Sequence, residues 1–170
     1  VKTLVGELEL LAGERVAHPD LKLGYFAQHT VESLHEGQTP LWHLREIDPN
    51  AGEQQLRNFL GQWNFVGDRA FESVDGFSGG ERARLMLARA LAKPSNVLVL
   101  DEPTNDLDLD ALDLLQELLA DYPGTVLLVS HDRDFLDRVV TSVIAADGDG
   151  RWIEYAGGYS DMVAQKGSGV

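Results

Sequence analysis

Two carboxylates, Asp101 and Glu102, stand directly after the apolar run Val-Leu-Val-Leu at 97–100. A buried strand that ends in two acids delivers them to the open edge of a sheet, where a hard cation finds oxygen ligands and a water finds a base. Adjacent side chains of a strand point to opposite faces, so one carboxylate can serve a metal while the other serves the water. The same letters also fit a strand end with two solvated acids ahead of Pro103. A second candidate is Ser78-Gly79-Gly80-Glu81, whose S-x-x-E spacing forms a capping box and starts a helix with its amide donors facing outward. The glycine pair leaves room for a phosphate at those donors, and the helix dipole favours an anion there. A capped helix behind a small-residue turn is the alternative. His131 follows the apolar run at 125–130 and reaches the same sheet edge as Asp101 and Glu102 if the two strands are neighbours. An imidazole there can contact a terminal phosphate or polarise an attacking water. Gln28, just after the strand-like Tyr25-Phe26-Ala27, offers a neutral oxygen to a metal or water. His18, His29, His35 and His43 have no converging partners and read as structural or surface residues.

Alternating elements must position these groups. From Phe77 onward the pattern predicts a helix at 79–92, a buried strand at 97–100, a helix at 109–122, a strand at 125–130 and a helix at 134–140. A hairpin then pairs 141–146 with 151–156 across Gly148-Asp149. Strands alternating with helices imply a parallel sheet with ligands at its carboxyl edge. Ahead of this core, residues 1–10 read as the end of a helix with Gly13 as a stop. Residues 14–28 read as two short strands about a turn at Pro19-Asp20. Thr39-Pro40 marks a helix start, and 53–65 is helical with Leu56, Phe59, Leu60 and Trp63 on one face. The last residues, from 161 to 170, read as a tail or the start of a linker.

Composition narrows the setting. At 170 residues, with 44% hydrophobic and 25% charged residues, the chain suits a single globular unit or part of one. No apolar run approaches the roughly 18–20 residues of a membrane-spanning helix, and the acidic start does not resemble a secretory signal, so a cytoplasmic location is expected. Cysteine is absent, which excludes disulfides and thiolate metal sites. The net charge of −14 argues against this chain alone gripping nucleic acid.

In this order and at these spacings, "YFAQH", "FSGGERARLMLARAL", "VLVLDEPTNDLD" and "LLVSHDRDFLDRVV" resemble an ATP-binding-cassette (ABC) nucleotide-binding domain, over nearly the whole chain. The resemblance implies an α/β fold of the P-loop NTPase type, with a mostly parallel sheet and a helical signature subdomain. It places the helical and signature region at 28–92 and the catalytic core at 93–160. By it, Gln28 corresponds to the Q-loop glutamine, Ser78, Gly79, Gly80 and Glu81 to the signature that contacts nucleotide, and Asp101 to a metal ligand alongside Gln28. Glu102 corresponds to the catalytic base, Asp106 and Asp108 to the D-loop, and His131 to the switch histidine. The implied ligands are ATP and Mg²⁺, and the implied partner is a second cassette paired head-to-tail.

"DEPTNDLD", Glu81 in the signature, "SHDRDFLD" and "YAGGYSDMVAQ" resemble the ABC-F proteins, soluble tandem cassettes that act on ribosomes. The alternatives are the nucleotide-binding subunit of a transporter and a DNA-maintenance ATPase. The latter inserts a long coiled coil where only about 50 residues separate Gln28 from Ser78 here. The family's phosphate loop, G-x-x-x-x-G-K-[ST], is not found in the sequence, and "VKTLVGEL" resembles the helix that follows it. The expectation is a partial cassette that begins at or just after that loop, inactive alone, with any ribosome contact made through parts outside these residues.

Overall fold

A side-chain oxygen stands at the start of four of the α-helices: Thr39, Ser78, Asp108 and Asp132 each accept an amide hydrogen from the first turn they precede. These caps fix where the chain turns from loop to helix. The computed structural model describes residues 1–27 and 34–167. In order, the elements are α1 (Lys2–Val5), β1 (Leu23–Ala27), α2 (Pro40–Ile47), α3 (Glu53–Gln62), α4 (Gly79–Ala92), β2 (Val97–Asp101), α5 (Leu109–Ala120), β3 (Thr125–Val129), α6 (Arg133–Val139), β4 (Ser142–Ala146), β5 (Trp152–Ala156) and α7 (Tyr159–Gly167). Two 3₁₀ turns, Gly67–Phe71 and Val74–Gly76, lead from α3 to α4.

The fold is α/β. β1, β2 and β3 form a parallel sheet with β2 in the middle, and Ala27, Asp101 and Val129 lie side by side at its carboxyl end. β2 is covered on both faces: Leu98, Val99 and Leu100 are all buried, as expected of a central parallel strand. Gly124 sets the start of β3, because a Cβ there would lie 2.3 Å from the Asn96 carbonyl oxygen, which accepts from the Thr125 amide at 3.0 Å. β4 and β5 pair as the expected antiparallel hairpin, with positive φ at both Gly148 and Asp149 in its turn.

One apolar core joins the sheet to the helical region. Leu44 of α2, Leu60 of α3, Trp63, Phe65 and Val74 pack with Leu85, Leu87 and Ala88 of α4, and with Leu115 of α5 and Phe135 of α6 beyond the sheet. Of the expected α3 stripe, Leu56, Leu60 and Trp63 are buried, while Phe59 packs at the margin. His43 is fully buried on α2. Its Nδ1–H donates to the Thr39 carbonyl at 2.7 Å and its Nε2 accepts from the His35 amide at 2.9 Å, which fixes a neutral ring.

Three expectations are corrected. The opening helix ends at Gly6, not Gly13: Gly6 takes φ 91° in a left-handed cap, and the Glu7 amide reaches back to the Lys2 carbonyl. Of the two strands expected about Pro19-Asp20, β1 forms, whereas residues 14–18 have no ladder partner among the described residues and the turn closes locally from the Leu21 amide to the His18 carbonyl. The expected tail from 161 is helical through Gly167, in α7. That helix is held by buried Met162 and by Asp137 of α6, whose carboxylate accepts from the Ser160 amide at 2.9 Å and the Ser160 hydroxyl at 2.5 Å. Gly158 permits this docking, because a Cβ there would lie 2.4 Å from Asp137 Oδ1.

Candidate functional site

The buried apolar run of β2 carries Asp101 to the sheet's carboxyl edge, and the backbone turns sharply at the next residue. Glu102 has φ 52°, a left-handed conformation that costs a non-glycine residue about 1 kcal/mol or more. Its amide still donates to the Val129 carbonyl at 2.8 Å, one step beyond the β2–β3 ladder, so the turn is pinned to the neighbouring strand. This aims the Glu102 side chain at the loop after β3.

His131 lies on that loop, two residues beyond β3. Its amide donates to Glu102 Oε2 at 3.4 Å, and its Nε2 stands 3.2 Å from Glu102 Oε1. The Nε2 contact is at ion-pair distance but lacks hydrogen-bond alignment, and among the described residues the buried Oε1 has no hydrogen-bond donor. The two side chains differ sharply in exposure: Glu102 is 18% exposed and His131 is 98% exposed. The arrangement is a held carboxylate beside an exposed imidazole.

Asp101, half-buried at the same edge, offers carboxylate oxygens. This fits Mg²⁺, which commonly takes one or two protein carboxylates and completes its shell with water and phosphate. Among the described residues no group of three or more His, Asp or Glu side chains forms a closed metal cage. Gln28, the other expected metal ligand, lies outside the described residues.

The SGGE turn builds the second part of the site. Ser78 Oγ accepts from the Glu81 amide at 3.2 Å, and Glu81 Oε1 lies 3.5 Å from the Ser78 amide and 3.2 Å from its hydroxyl, completing the capping box. Nothing would meet a Cβ at Gly79 within 4 Å, so space is open in front of the helix. At Gly80 a Cβ would come within 3.3 Å of the Asp106 carbonyl, which places the loop after β2 against the helix start. Asp106 itself has φ 64°. Asp108 serves two neighbours: Oδ1 caps α5 through the Ala111 amide at 2.8 Å, and Oδ2 faces the Arg84 guanidinium of α4 at 3.8 Å. Glu102 and His131 thus meet at the sheet edge that carries Asp101, and the Ser78–Glu81 turn lies against the loop that carries Asp106 and Asp108.

Sequence reasoning missed Arg69, in the first 3₁₀ turn. Its guanidinium pairs with the Glu81 carboxylate of the capping box and with Glu72 at 2.5 Å, and lies 4.9 Å over the Phe77 ring. No local pattern in the sequence joins position 69 to position 81.

A family model described as "ABC transporter" matches residues 4–105. The chain is 44% identical to "ATP-binding protein Uup" of Caulobacter vibrioides, a match covering 97% of this chain and 28% of that protein. It is 46% identical to "Probable ATP-binding protein YheS" of Haemophilus influenzae, covering 82% of this chain and 22% of that protein. Among solved structures, "Model of ribosome-bound archaeal Pelota and ABCE1" superposes with a TM-score of 0.75 at 26% identity, over 98% of this chain and 29% of that one. The chain spans between a fifth and a third of the length of these relatives.

Proposed function

Because the chain belongs to the ABC transporter family of ATP-binding-cassette domains, with Uup and YheS of the ABC-F branch as relatives, we propose that it supplies the catalytic edge and the signature surface of an ABC-F type ATPase. The observation that carries the reading is the Glu102 carboxylate: pinned beside β3, contacted by His131, and with one buried oxygen that has no hydrogen-bond donor among the described residues. Such an oxygen suits acceptance of a proton from water. As that water's oxygen bonds to the γ-phosphorus, the bond to the leaving ADP oxygen breaks and the proton passes to Glu102. His131, fully exposed in the free chain, closes on the terminal phosphate and steadies Glu102. Asp101 and Gln28 would hold Mg²⁺, which would supply charge neutralisation for the phosphates.

The turn at Ser78, Gly79, Gly80 and Glu81 faces ATP held by a second cassette arranged head-to-tail, with the Asp106–Asp108 loop beside it. The contact of Gly80 with the Asp106 carbonyl supports treating turn and loop as one surface. The pair works in the cytoplasm as a ribosome-associated factor. At net charge −14, contact with ribosomal RNA comes from basic segments outside these 170 residues.

The test uses the full-length protein with Glu102→Gln, which should retain ATP and hold the pair closed. With ATP it is expected to co-sediment with ribosomes in the absence of detergent. Recovery only in membranes, bound to a transmembrane partner, would contradict the ribosomal reading and favour a transporter subunit.

A further inference from the structure

Glu81 raises a difficulty for the surface just proposed. The hydroxyl proton of Ser78 points to Glu81 Oε1 at 3.2 Å, so a carboxylate stands directly beside a turn meant to receive phosphate. The side chain of Glu81 is only 21% exposed, so water screens its charge poorly. An uncompensated anion there would repel the ligand that the open amides and the helix dipole attract.

Arg69 occupies the other oxygen of that carboxylate. Its guanidinium is held from three directions. Glu81 and Glu72 take separate nitrogens, and the face lies over Phe77, the residue immediately before the Ser78 cap. Phe77 in turn stacks on Phe65 with centroids 5.6 Å apart and planes tilted by 11°, and Arg84, which faces Asp108, lies 5.2 Å from the Phe65 ring centroid. Successive contacts from Arg69 through Phe77 and Phe65 to Arg84 thus run from the signature carboxylate to the Asp108 loop. Glu72, at 47% exposed, is open to water and competes weakly for the Arg69 charge.

We propose that Arg69 is a positioning residue of the signature turn: it neutralises the Glu81 carboxylate beside the open amides and fixes the turn against the Phe77–Phe65 stack. The role rests on the reading that this turn faces ATP. It differs from simple structural support in one respect, which is that removing the Glu81 charge should make Arg69 dispensable.

The experiment measures ATP hydrolysis by the full-length protein, with the thermal midpoint of each variant taken alongside. Arg69→Met is expected to raise KM for ATP about tenfold, the scale of one charge-assisted hydrogen bond. Glu81→Gln combined with Arg69→Met is expected to return KM to within about twofold of Glu81→Gln alone. Arg69→Lys keeps the charge but loses the fork and the planar stack, so its KM should fall between native and Arg69→Met, even where Arg69→Met folds poorly. An unchanged KM in Arg69→Met, or a double variant as impaired as Arg69→Met, overturns the proposal. Gly79→Asp separates this from the underlying reading: a carboxylate placed in the open space before the helix should abolish turnover. If Gly79→Asp is impaired while Arg69→Met is native, only the role of Arg69 falls. If Gly79→Asp turns over ATP normally, the turn does not face ATP, and both fall.

Discussion

The Nε2 of His131 stands 3.2 Å from Oε1 of Glu102, across two neighbouring parallel strands, although the residues are 29 positions apart in the chain. The Glu102 amide bonded to the Val129 carbonyl sets this spacing, so the sheet itself brings the two groups together. His131 adds almost no packing to the contact, since its side chain is 98% exposed.

His131→Ala should accordingly leave the fold intact. The thermal midpoint is expected to change by no more than the equivalent of about 0.5 kcal/mol, while ATP hydrolysis by the full-length protein falls about tenfold to a hundredfold. A large loss of stability would mean that His131 supports the fold instead.

Gly124→Ala tests the start of β3. The added methyl would lie 2.3 Å from a backbone oxygen that cannot swing away, so the strand must shift and its bond from the Thr125 amide to Asn96 must lengthen. A destabilisation of about 2 kcal/mol or more is expected in denaturant unfolding, compared with less than about 1 kcal/mol for Gly79→Ala, where nothing meets the new Cβ.

Much of this organisation is legible in the sequence because it is local. The capping box is written in four letters, the buried strand in five, and each helix from α4 to α6 starts within one residue of its expected place. The juxtaposition of His131 with Glu102 needed only one assumption, that the strands at 97 and 125 are neighbours. Arg69 was not legible, since its partners Glu81 and Phe77 meet it through 3₁₀ turns that carry no periodic signal. Helix α7 escaped because the Gly- and Ser-containing end of the chain at 166–170 suggested a tail, whereas Asp137, 23 positions earlier than Ser160, supplies the helix's anchor. The alternation at Leu21, Leu23 and Tyr25 leads into β1, but the strand expected before Pro19 needs a partner, and pairing is not a property of the segment alone.

His43 gives a pH dependence of defined sign. Full burial holds its ring pKa below the usual histidine value; the bond to the Thr39 carbonyl opposes that shift, while Arg89 of α4 and His35 add to it. The unfolded chain takes up a proton near pH 6.5 and the folded chain resists, so the stabilisation is complete above about pH 6.5 and is lost as pH falls toward the lower folded value. Stability should decline across that window by at most about 1.4 kcal/mol per pH unit, and His43→Gln should flatten this part of the curve. Urea unfolding of both proteins between about pH 5 and 8 measures the difference.

The most direct measurement is single-turnover hydrolysis of ATP by the full-length protein with Glu102→Gln, alongside ATP binding by the same protein. The amide keeps the shape of the carboxylate at this left-handed position but cannot take the proton of the attacking water. Binding is expected within about threefold of native, with the hydrolytic step slowed by about 10²-fold or more. Native-rate hydrolysis by Glu102→Gln would contradict the assignment of the base at the carboxyl edge of β2, and with it the account of what this chain does.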